Sequence, residues 1–201
     1  MVVKYYKIIV DGYDELGGVF YAPSNLPYPI TRDGEDVGNW HPPIIELKDG
    51  IYRHFNLCNG SYMLSEEFKN ILCSYIPMDY PVEFLPVLIS SVDYGNRIFY
   101  VLHFTKIFDV IDKQNTIYIE GTDIVLKVRL DYEKVKNLHL FNSQPVNDVI
   151  VSAKLRNRLK KRGLIKVLNL YQSTAQMLDN SNNQCKYVCK SNNCLEATLI
   201  F

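Results

Sequence analysis

Two stretches of the chain place apolar and polar residues in the same helical pattern. Residues 64–72 read LSEEFKNIL and residues 151–159 read VSAKLRNRL, a match without gaps at a spacing of 87 residues. In each stretch an apolar residue precedes a serine, and later apolar residues recur four positions apart, which predicts a short amphipathic helix with the serine as its N-cap. Glu66 and Glu67 would lie in the first turn of one helix, where the helix dipole favours negative charge. Gly163 would follow the end of the other helix, where a left-handed backbone conformation is common.

The remaining elements are predicted from β-branched and aromatic residues bounded by turns. The predicted strands cover residues 4–10, 82–92, 97–104, 116–120, 123–130 and 164–171. Together these elements predict an α+β fold with antiparallel or mixed sheets and a few short amphipathic helices. The matching stretches leave two interpretations open. Either they mark an internal repeat of two similar α/β units, around residues 62–104 and 138–171, or they coincide by chance, since a serine cap before an amphipathic helix is common.

Proline and glycine are concentrated in residues 11–50, which hold more than half of the chain's residues of each type. We therefore predict a long loop there, a feature that is often functional in compact domains. The single tryptophan, Trp40, lies in this loop and is either a buried residue that pins it or an exposed anchor for a partner. We expect one α+β domain over residues 1–172 and a polar, cysteine-containing extension over residues 173–201.

A run of basic residues coincides with the second predicted helix, over residues 153–162. Residues 154–166 contain seven basic residues, and no acidic residue lies between Asp148 and Asp179. On a helix these side chains would form a broad positive face. Three interpretations of this face are open: a solvated helix surface, a contact for an acidic protein surface, or a contact for the phosphates of a nucleic acid. The candidates for partner binding are Trp40 and, on the helix, Lys154, Arg156, Arg158, Lys160, Lys161 and Arg162.

Charge is balanced over the whole chain but not along it. The chain has 22 basic and 22 acidic residues, of which residues 1–100 hold 7 and 13, so residues 101–201 hold 15 and 9. Opposed surface potentials of this kind orient a protein partner. The overall neutrality disfavours nucleic acid as the main partner.

Hydropathy and cysteine content indicate where the protein works. The apolar runs are far shorter than the roughly 20 residues that a membrane-spanning helix needs, and the first residues lack the pattern of a secretory signal. The odd number of cysteines, five, favours reduced thiols. We expect a cytoplasmic protein that does not enter a membrane.

No motif for catalysis or metal binding emerges from the chain. The four histidines are scattered, and a thiol–imidazole pair such as Cys58 with His54, or Cys73 with His103, is conceivable but unspecific. Cys185, Cys189 and Cys194 lack the fourth nearby ligand that structural zinc requires. We therefore predict a protein that is not an enzyme and uses neither a cofactor nor a metal.

Several groups of residues carry a resemblance to a known family. They are Tyr62 to Leu72, Glu83 to Val87, Tyr100 to His103, Asp109 to Asp112, His139 to Phe141, and Val149 to Leu164. In these residues, and over roughly residues 1–171, the chain resembles the immunity proteins of bacterial polymorphic toxin systems, in the family numbered eleven. It departs from the family pattern after Leu164, where Ile165 and Lys166 stand in place of the usual Thr-Gly.

The resemblance implies a protein that binds the C-terminal toxin domain of a cognate toxin and neutralises it by stoichiometric occlusion, without catalysis. Such a role requires shape and charge complementarity with a few aromatic or arginine anchors. Two alternatives remain open. One is a nucleic-acid-associated module that uses the basic helix, and the other is an enzyme built on one of the cysteine–histidine pairs.

Overall fold

A computed structural model of the chain describes residues 2–8, 18–122, 125–143, 148–165 and 172–176. The strands are Val2–Lys7 (β1), Val19–Tyr21 (β2), Ile44–Asp49 (β3), Phe55–Cys58 (β4), Ser61–Leu64 (β5), Val82–Ser90 (β6), Arg97–Phe104 (β7), Ile117–Tyr118 (β8), Val125–Lys127 (β9), Leu140–Ser143 (β10), Asp148–Ser152 (β11) and Gln172–Gln176 (β12). The helices are Glu66–Cys73 (α1), Tyr132–Val135 (α2) and Ala153–Lys161 (α3). None of these helices is long and apolar enough to span a membrane.

The described strands form three sheets. The largest has six strands in the order β2-β3-β6-β7-β5-β4, the second has four in the order β10-β11-β1-β12, and β8 pairs with β9. Neighbouring strands are antiparallel except β3 and β6, which run parallel with Ile44 beside Leu88. The predicted α+β class, with antiparallel and mixed sheets and short helices, is confirmed.

Two parts of the fold share one topology. In the first unit the hairpin β4–β5 leads into α1 and then β6, and β7 lies between β5 and β6. In the second unit the hairpin β10–β11 leads into α3 and then β12, and β1 lies between β11 and β12. Strand β1, from the start of the chain, therefore occupies the position that β7 occupies in the first unit.

The strand register shows which residues of the two units correspond. Leu64 of β5 lies opposite Tyr100 of β7, and Val151 of β11 lies opposite Tyr6 of β1. Residues of β5 and α1 therefore correspond to residues 87 positions later, which is the spacing of the sequence match. The core-facing side chains of both helices are fully buried at corresponding positions: Phe68 and Leu72 in α1, and Leu155 and Leu159 in α3.

Each of these helices begins at a serine that a histidine holds in place. Ser65 and Ser152 each accept a hydrogen bond on Oγ from a backbone amide in the first turn of α1 and α3. His54 Nδ1 lies 2.8 Å from Ser65 Oγ, and His139 Nδ1 lies 2.8 Å from Ser152 Oγ. In both units the serine amide also donates to the backbone carbonyl of the same histidine. The two predicted N-caps are confirmed, whereas the histidines had not been assigned this role.

The largest hydrophobic core lies where the two units meet and combines side chains from both large sheets with the inner faces of α1 and α3. Within it Phe55 stacks on Phe68 with ring centroids 5.3 Å apart. A second core, which includes Met63 and Val101, lies on the six-stranded sheet and is covered by residues from the loop between β2 and β3. A third core surrounds Tyr5 and α2. Burial, with a contribution from Tyr132, raises the pKa of Tyr5 to about 12.

The predicted long loop over residues 11–50 was wrong at two places. Residues 19–21 and 44–49 form β2 and β3, because β3 pairs in parallel with β6, a partner about 40 residues away that local proline and glycine content does not reveal. Between these strands the chain has turns and no regular structure.

The end of the predicted domain also differs in the structure. Residues 172–176 form β12 and pair with β1, so the sheet continues past the predicted boundary at residue 172. Most of the strand predicted over residues 164–171 lies outside the described residues, as does the extension after residue 176. The hairpin of β6 and β7 confirms the strands predicted over residues 82–92 and 97–104, the second with the predicted bounds. The pairing of β8 with β9 confirms shorter strands within residues 116–120 and 123–130. Strand β1 confirms the strand predicted over residues 4–10 but begins at Val2.

Candidate functional site

Helix α3 presents the basic run on the outside of the central core. Leu155 and Leu159 fix the inner face of the helix, because both side chains are fully buried. Five basic side chains on the helix and its C-terminal end are exposed: Lys154, Arg158, Lys160, Lys161 and Arg162. Within the described residues none of the five forms an ion pair. The result is a positive face without an internal counter-charge.

Arg156, the remaining basic candidate on α3, has a closer contact within the fold than Lys154, whose Nζ lies 5.6 Å from the centroid of the Tyr75 ring. Its guanidinium carbon lies 4.4 Å from the centroid of the Tyr6 ring in β1, and the side chain is half-buried. At the corresponding position of the first unit, Lys69 Nζ lies 3.7 Å from the Tyr100 ring of β7. A cation over the face of an aromatic ring is stabilising, so Arg156 and Lys69 both attach a helix to the central strand of its unit.

A groove of about 450 Å³ runs between α1 and α3. Its lining residues come from both helices and their C-caps: Glu66, Glu67, Asn70 and Ile71 of α1 with its cap Ser74, and Arg158 of α3 with its cap Arg162. From the sequence the two glutamates are predicted only to occupy the start of the helix. They were missed as site residues because roughly 90 positions separate them from the arginines along the chain, and no local pattern connects them.

Trp40 lies in the loop between β2 and β3 and is half-buried. Its indole Nε1 donates a hydrogen bond to the Pro86 carbonyl of β6 over 2.8 Å, and its ring packs on the second core. Helix α3 packs on the first core instead. The tryptophan therefore pins its loop to the six-stranded sheet, and the two predicted contact regions rest on different cores.

A larger cleft, of about 540 Å³, lies between the loop near Asp33, the β4–β5 hairpin and β11. The Asp33 carboxylate is used within the fold, since it accepts hydrogen bonds from the Phe104 amide and the Asn142 side chain. Arg32 and Glu35 carry the exposed charges of the cleft, and Arg32 Nη1 lies 3.9 Å from Glu35 Oε1. This cleft was not predicted from the sequence, although three acidic residues within residues 33–36 mark its position.

Neither of these two cavities is lined by a cysteine or a histidine. Burial raises the pKa of the Cys58 thiol to about 11, so this thiol is protonated at neutral pH and is a poor nucleophile. The His54 ring is hydrogen-bonded to Ser65, and His103 Nε2 lies 3.0 Å from the Glu35 carbonyl. Among the described residues no three or more histidine, cysteine, aspartate or glutamate side chains are grouped so that they could hold a metal ion. Cys185, Cys189 and Cys194 lie outside the described residues.

Comparison with models of known protein families gives a match over more than half of the chain. A family model described as an immunity protein family, Imm11, matches residues 44–173, a range that begins at β3, contains both helices of the groove and ends within β12. No curated protein matches the chain. The family match covers more than half of the sequence and agrees with the resemblance found from its motifs. The chain belongs to the Imm11 immunity protein family.

Proposed function

We propose that this protein protects the bacterium that produces it by binding the toxic C-terminal domain of a cognate polymorphic toxin in the cytoplasm. Binding is stoichiometric, covers the working surface of the toxin and involves no catalysis. Membership of an immunity protein family supports a partner of this kind. The observation that carries the proposal within the fold is the exposed positive face of α3.

That face has the properties of a preformed protein-binding surface. Its helix is anchored by the buried Leu155 and Leu159 and capped by Ser152, so little conformational entropy is lost when a partner binds. Its basic side chains lack ion-pair partners within the described residues. An acidic protein surface would supply the missing counter-charges, accelerate association and fix the orientation of the complex.

The same positive face would also attract nucleic acid, and two features favour a protein. Glu66 and Glu67 lie across the groove from Arg158 and Arg162, where they would repel a phosphate backbone. The formal net charge of the whole chain is zero, whereas nucleic-acid-binding domains are usually basic. A protein surface that carries charges of both signs fits this region better.

The seven candidate contact residues divide by their surroundings. Lys154, Arg158, Lys160, Lys161 and Arg162 are exposed. We propose Lys154, Arg158 and Arg162 as direct contacts, and Lys160 and Lys161 as charges that add to the positive potential of the helix without touching the partner. The Arg156 guanidinium lies over the Tyr6 ring, and Trp40 donates a hydrogen bond to the Pro86 carbonyl. We propose that Arg156 mainly positions the helix, and Trp40 the loop, that a partner would contact.

The test uses the full chain and the C-terminal domain of the toxin encoded next to its gene. Co-expression should restore growth to cells that make the toxin domain, and the purified proteins should form a one-to-one complex by calorimetry. Reversal of the charges in Lys154→Glu with Arg158→Glu should weaken the complex at least tenfold and slow association. The matched control, Lys113→Glu with Lys106→Glu, reverses two positive charges that lie outside α3 and should leave affinity nearly unchanged.

Three results would contradict the proposal. One is the absence of any complex with the neighbouring toxin domain. Another is growth rescue that depends on turnover of a small molecule by the purified chain. A third is binding to DNA or RNA in the absence of a protein partner, with affinity that falls steeply as salt rises, which would establish the nucleic-acid alternative instead.

A further inference from the structure

The groove between α1 and α3 carries opposite charges on its two walls. Glu66 and Glu67 occupy the first turn of α1, and Arg158 and Arg162 stand one helical turn apart on the α3 side. Across the described residues no ion pair joins the two walls. The groove therefore has acidic side chains on one wall and basic side chains on the other, and they are not paired with each other.

Comparison of the two units shows which contacts of α1 and α3 are shared and which are not. Both helices use the same buried positions, the same serine cap and the same cation over a tyrosine ring. They differ on their outer faces. Ile71 of α1 is 8% exposed and belongs to the core, whereas its counterpart Arg158 is exposed. Glu67 likewise corresponds to Lys154. The contacts that build each unit are shared, and the charges of the groove are not among them.

The spacing of the two arginines determines which group they would bind. Side chains four positions apart on a helix lie on the same face, and a guanidinium presents paired donors that match a carboxylate. The volume of about 450 Å³ accommodates a few side chains of an inserted protein segment. On the opposite wall the glutamates would accept hydrogen bonds from amide or basic side chains of the same segment.

We infer that this groove is the docking site for a carboxylate-bearing segment of the cognate toxin, with Arg158 and Arg162 as the residues that bind the carboxylate. The inference rests on the proposed function and adds the location and the chemistry of the contact. The larger cleft near Asp33 is a weaker candidate, because its central carboxylate is already bonded to both sheets.

The test compares two double variants of the full chain that lose the same charge. Arg158→Gln with Arg162→Gln removes the groove cations. Lys160→Gln with Lys161→Gln removes two exposed neighbours that do not line the groove. With the toxin domain encoded next to the gene, the groove variant should bind about 100-fold more weakly than wild type, and the lysine variant less than fivefold more weakly. All four side chains are exposed, so circular dichroism and melting temperature should match wild type.

A third variant separates geometry from charge. Arg158→Lys with Arg162→Lys keeps both positive charges but loses the paired donors, and its affinity should lie between those of wild type and the glutamine variant. Equal weakening by the groove variant and the Lys160/Lys161 variant would overturn the inference, since general attraction to the helix would then explain binding. Wild-type affinity in the groove variant would also overturn it.

Two further outcomes identify where a failure lies. If the wild-type chain does not bind the toxin domain at all, the proposed function itself fails. If the wild-type chain sediments as a dimer that the groove variant dissociates, the occupant of the groove is a second copy of the chain and the inferred partner is wrong. Neutralisation of single carboxylates in the toxin should reproduce the loss in wild type and cause no further loss in the groove variant.

Discussion

Asn142 donates a hydrogen bond from Nδ2 to Asp33 Oδ2 over 2.8 Å. The other oxygen of the same carboxylate accepts a hydrogen bond from the Phe104 amide at 3.1 Å. Asn142 belongs to β10 of the four-stranded sheet and Phe104 to β7 of the six-stranded sheet. One loop carboxylate, 109 positions away from Asn142, therefore connects the two large sheets of the molecule.

Replacement of this carboxylate should destabilise the whole fold. Asp33→Ala removes two charge-assisted hydrogen bonds and leaves the buried Asn142 side chain, which is 3% exposed, without this partner. We expect the free energy of unfolding to fall by about 2 to 3 kcal/mol, measured by urea denaturation. Asp36→Ala is the matched control, because Asp36 is exposed and, among the described residues, its carboxylate accepts a hydrogen bond only from the Gly38 amide of its own turn. A loss as large in the control would contradict this assignment.

The serine caps should contribute similarly in the two units. Ser65→Ala and Ser152→Ala each remove the acceptor at a helix start and the partner of a histidine. Each should lower the free energy of unfolding by about 1 kcal/mol. Thermal and urea unfolding of the single variants would measure the effect. Threonine at either position keeps a hydroxyl and should recover most of the loss. A neutral alanine variant would show that the capping hydrogen bond is not needed.

His139 should make the fold less stable in acid. Burial, and secondly the positive charge of Lys154, lower the pKa of His139 from its ordinary value of 6.5. The unfolded chain therefore binds a proton at higher pH than the folded chain does. The stabilising contribution is complete above about pH 6.5 and is lost as the pH falls below it toward the lower folded pKa. Urea unfolding between pH 5 and pH 8 would show this trend.

The matched variant for this pH effect is His139→Gln, compared with His41→Gln at an exposed position. The His139 variant loses its hydrogen bond to Ser152 and should be less stable at every pH, so the slope of stability against pH is the relevant measurement. That slope should flatten between pH 5 and pH 6.5 in the His139 variant and stay unchanged in the His41 variant. Identical slopes in wild type and in the His139 variant would refute the prediction.

Arg156 should matter for stability more than its exposed neighbours do. Arg156→Met removes the cation over Tyr6 and should lower the free energy of unfolding by about 1 kcal/mol. Lys160→Met, on the exposed face of the same helix, should change it by less than about 0.5 kcal/mol. Lys69→Met should behave as Arg156→Met does, because Lys69 makes the corresponding contact with Tyr100. Equal effects at Arg156 and Lys160 would remove this distinction.

Local patterns predicted the elements whose stability depends on neighbouring residues. The serines before α1 and α3, and the apolar positions four residues apart, specify helices because capping and periodic burial act within one or two turns. The hairpin of β6 and β7 was predicted because its turn and its strands are adjacent in the chain. The basic character of α3 was also evident, since charge is a property of composition.

Pairing between distant residues could not be predicted in this way. Strand β3 was assigned to a loop because its partner β6 is remote, and β1 could not be recognised as the counterpart of β7 because it precedes its own unit by well over one hundred residues. The groove was missed for the same reason. Arg158 faces Glu66 and Glu67 only after the helices pack together.

For this protein the amino-acid sequence alone determined the α+β class, the capped amphipathic helices, the positive run on the second helix and the resemblance to an immunity family. These depend on short-range periodicity, turn chemistry and charge. The tertiary structure decided which strand completes each unit, which basic side chains are exposed and which carboxylates stand opposite them. Such contacts form when the buried faces of distant segments meet, and the free energy of that association is a property of the packed fold that no local segment contains.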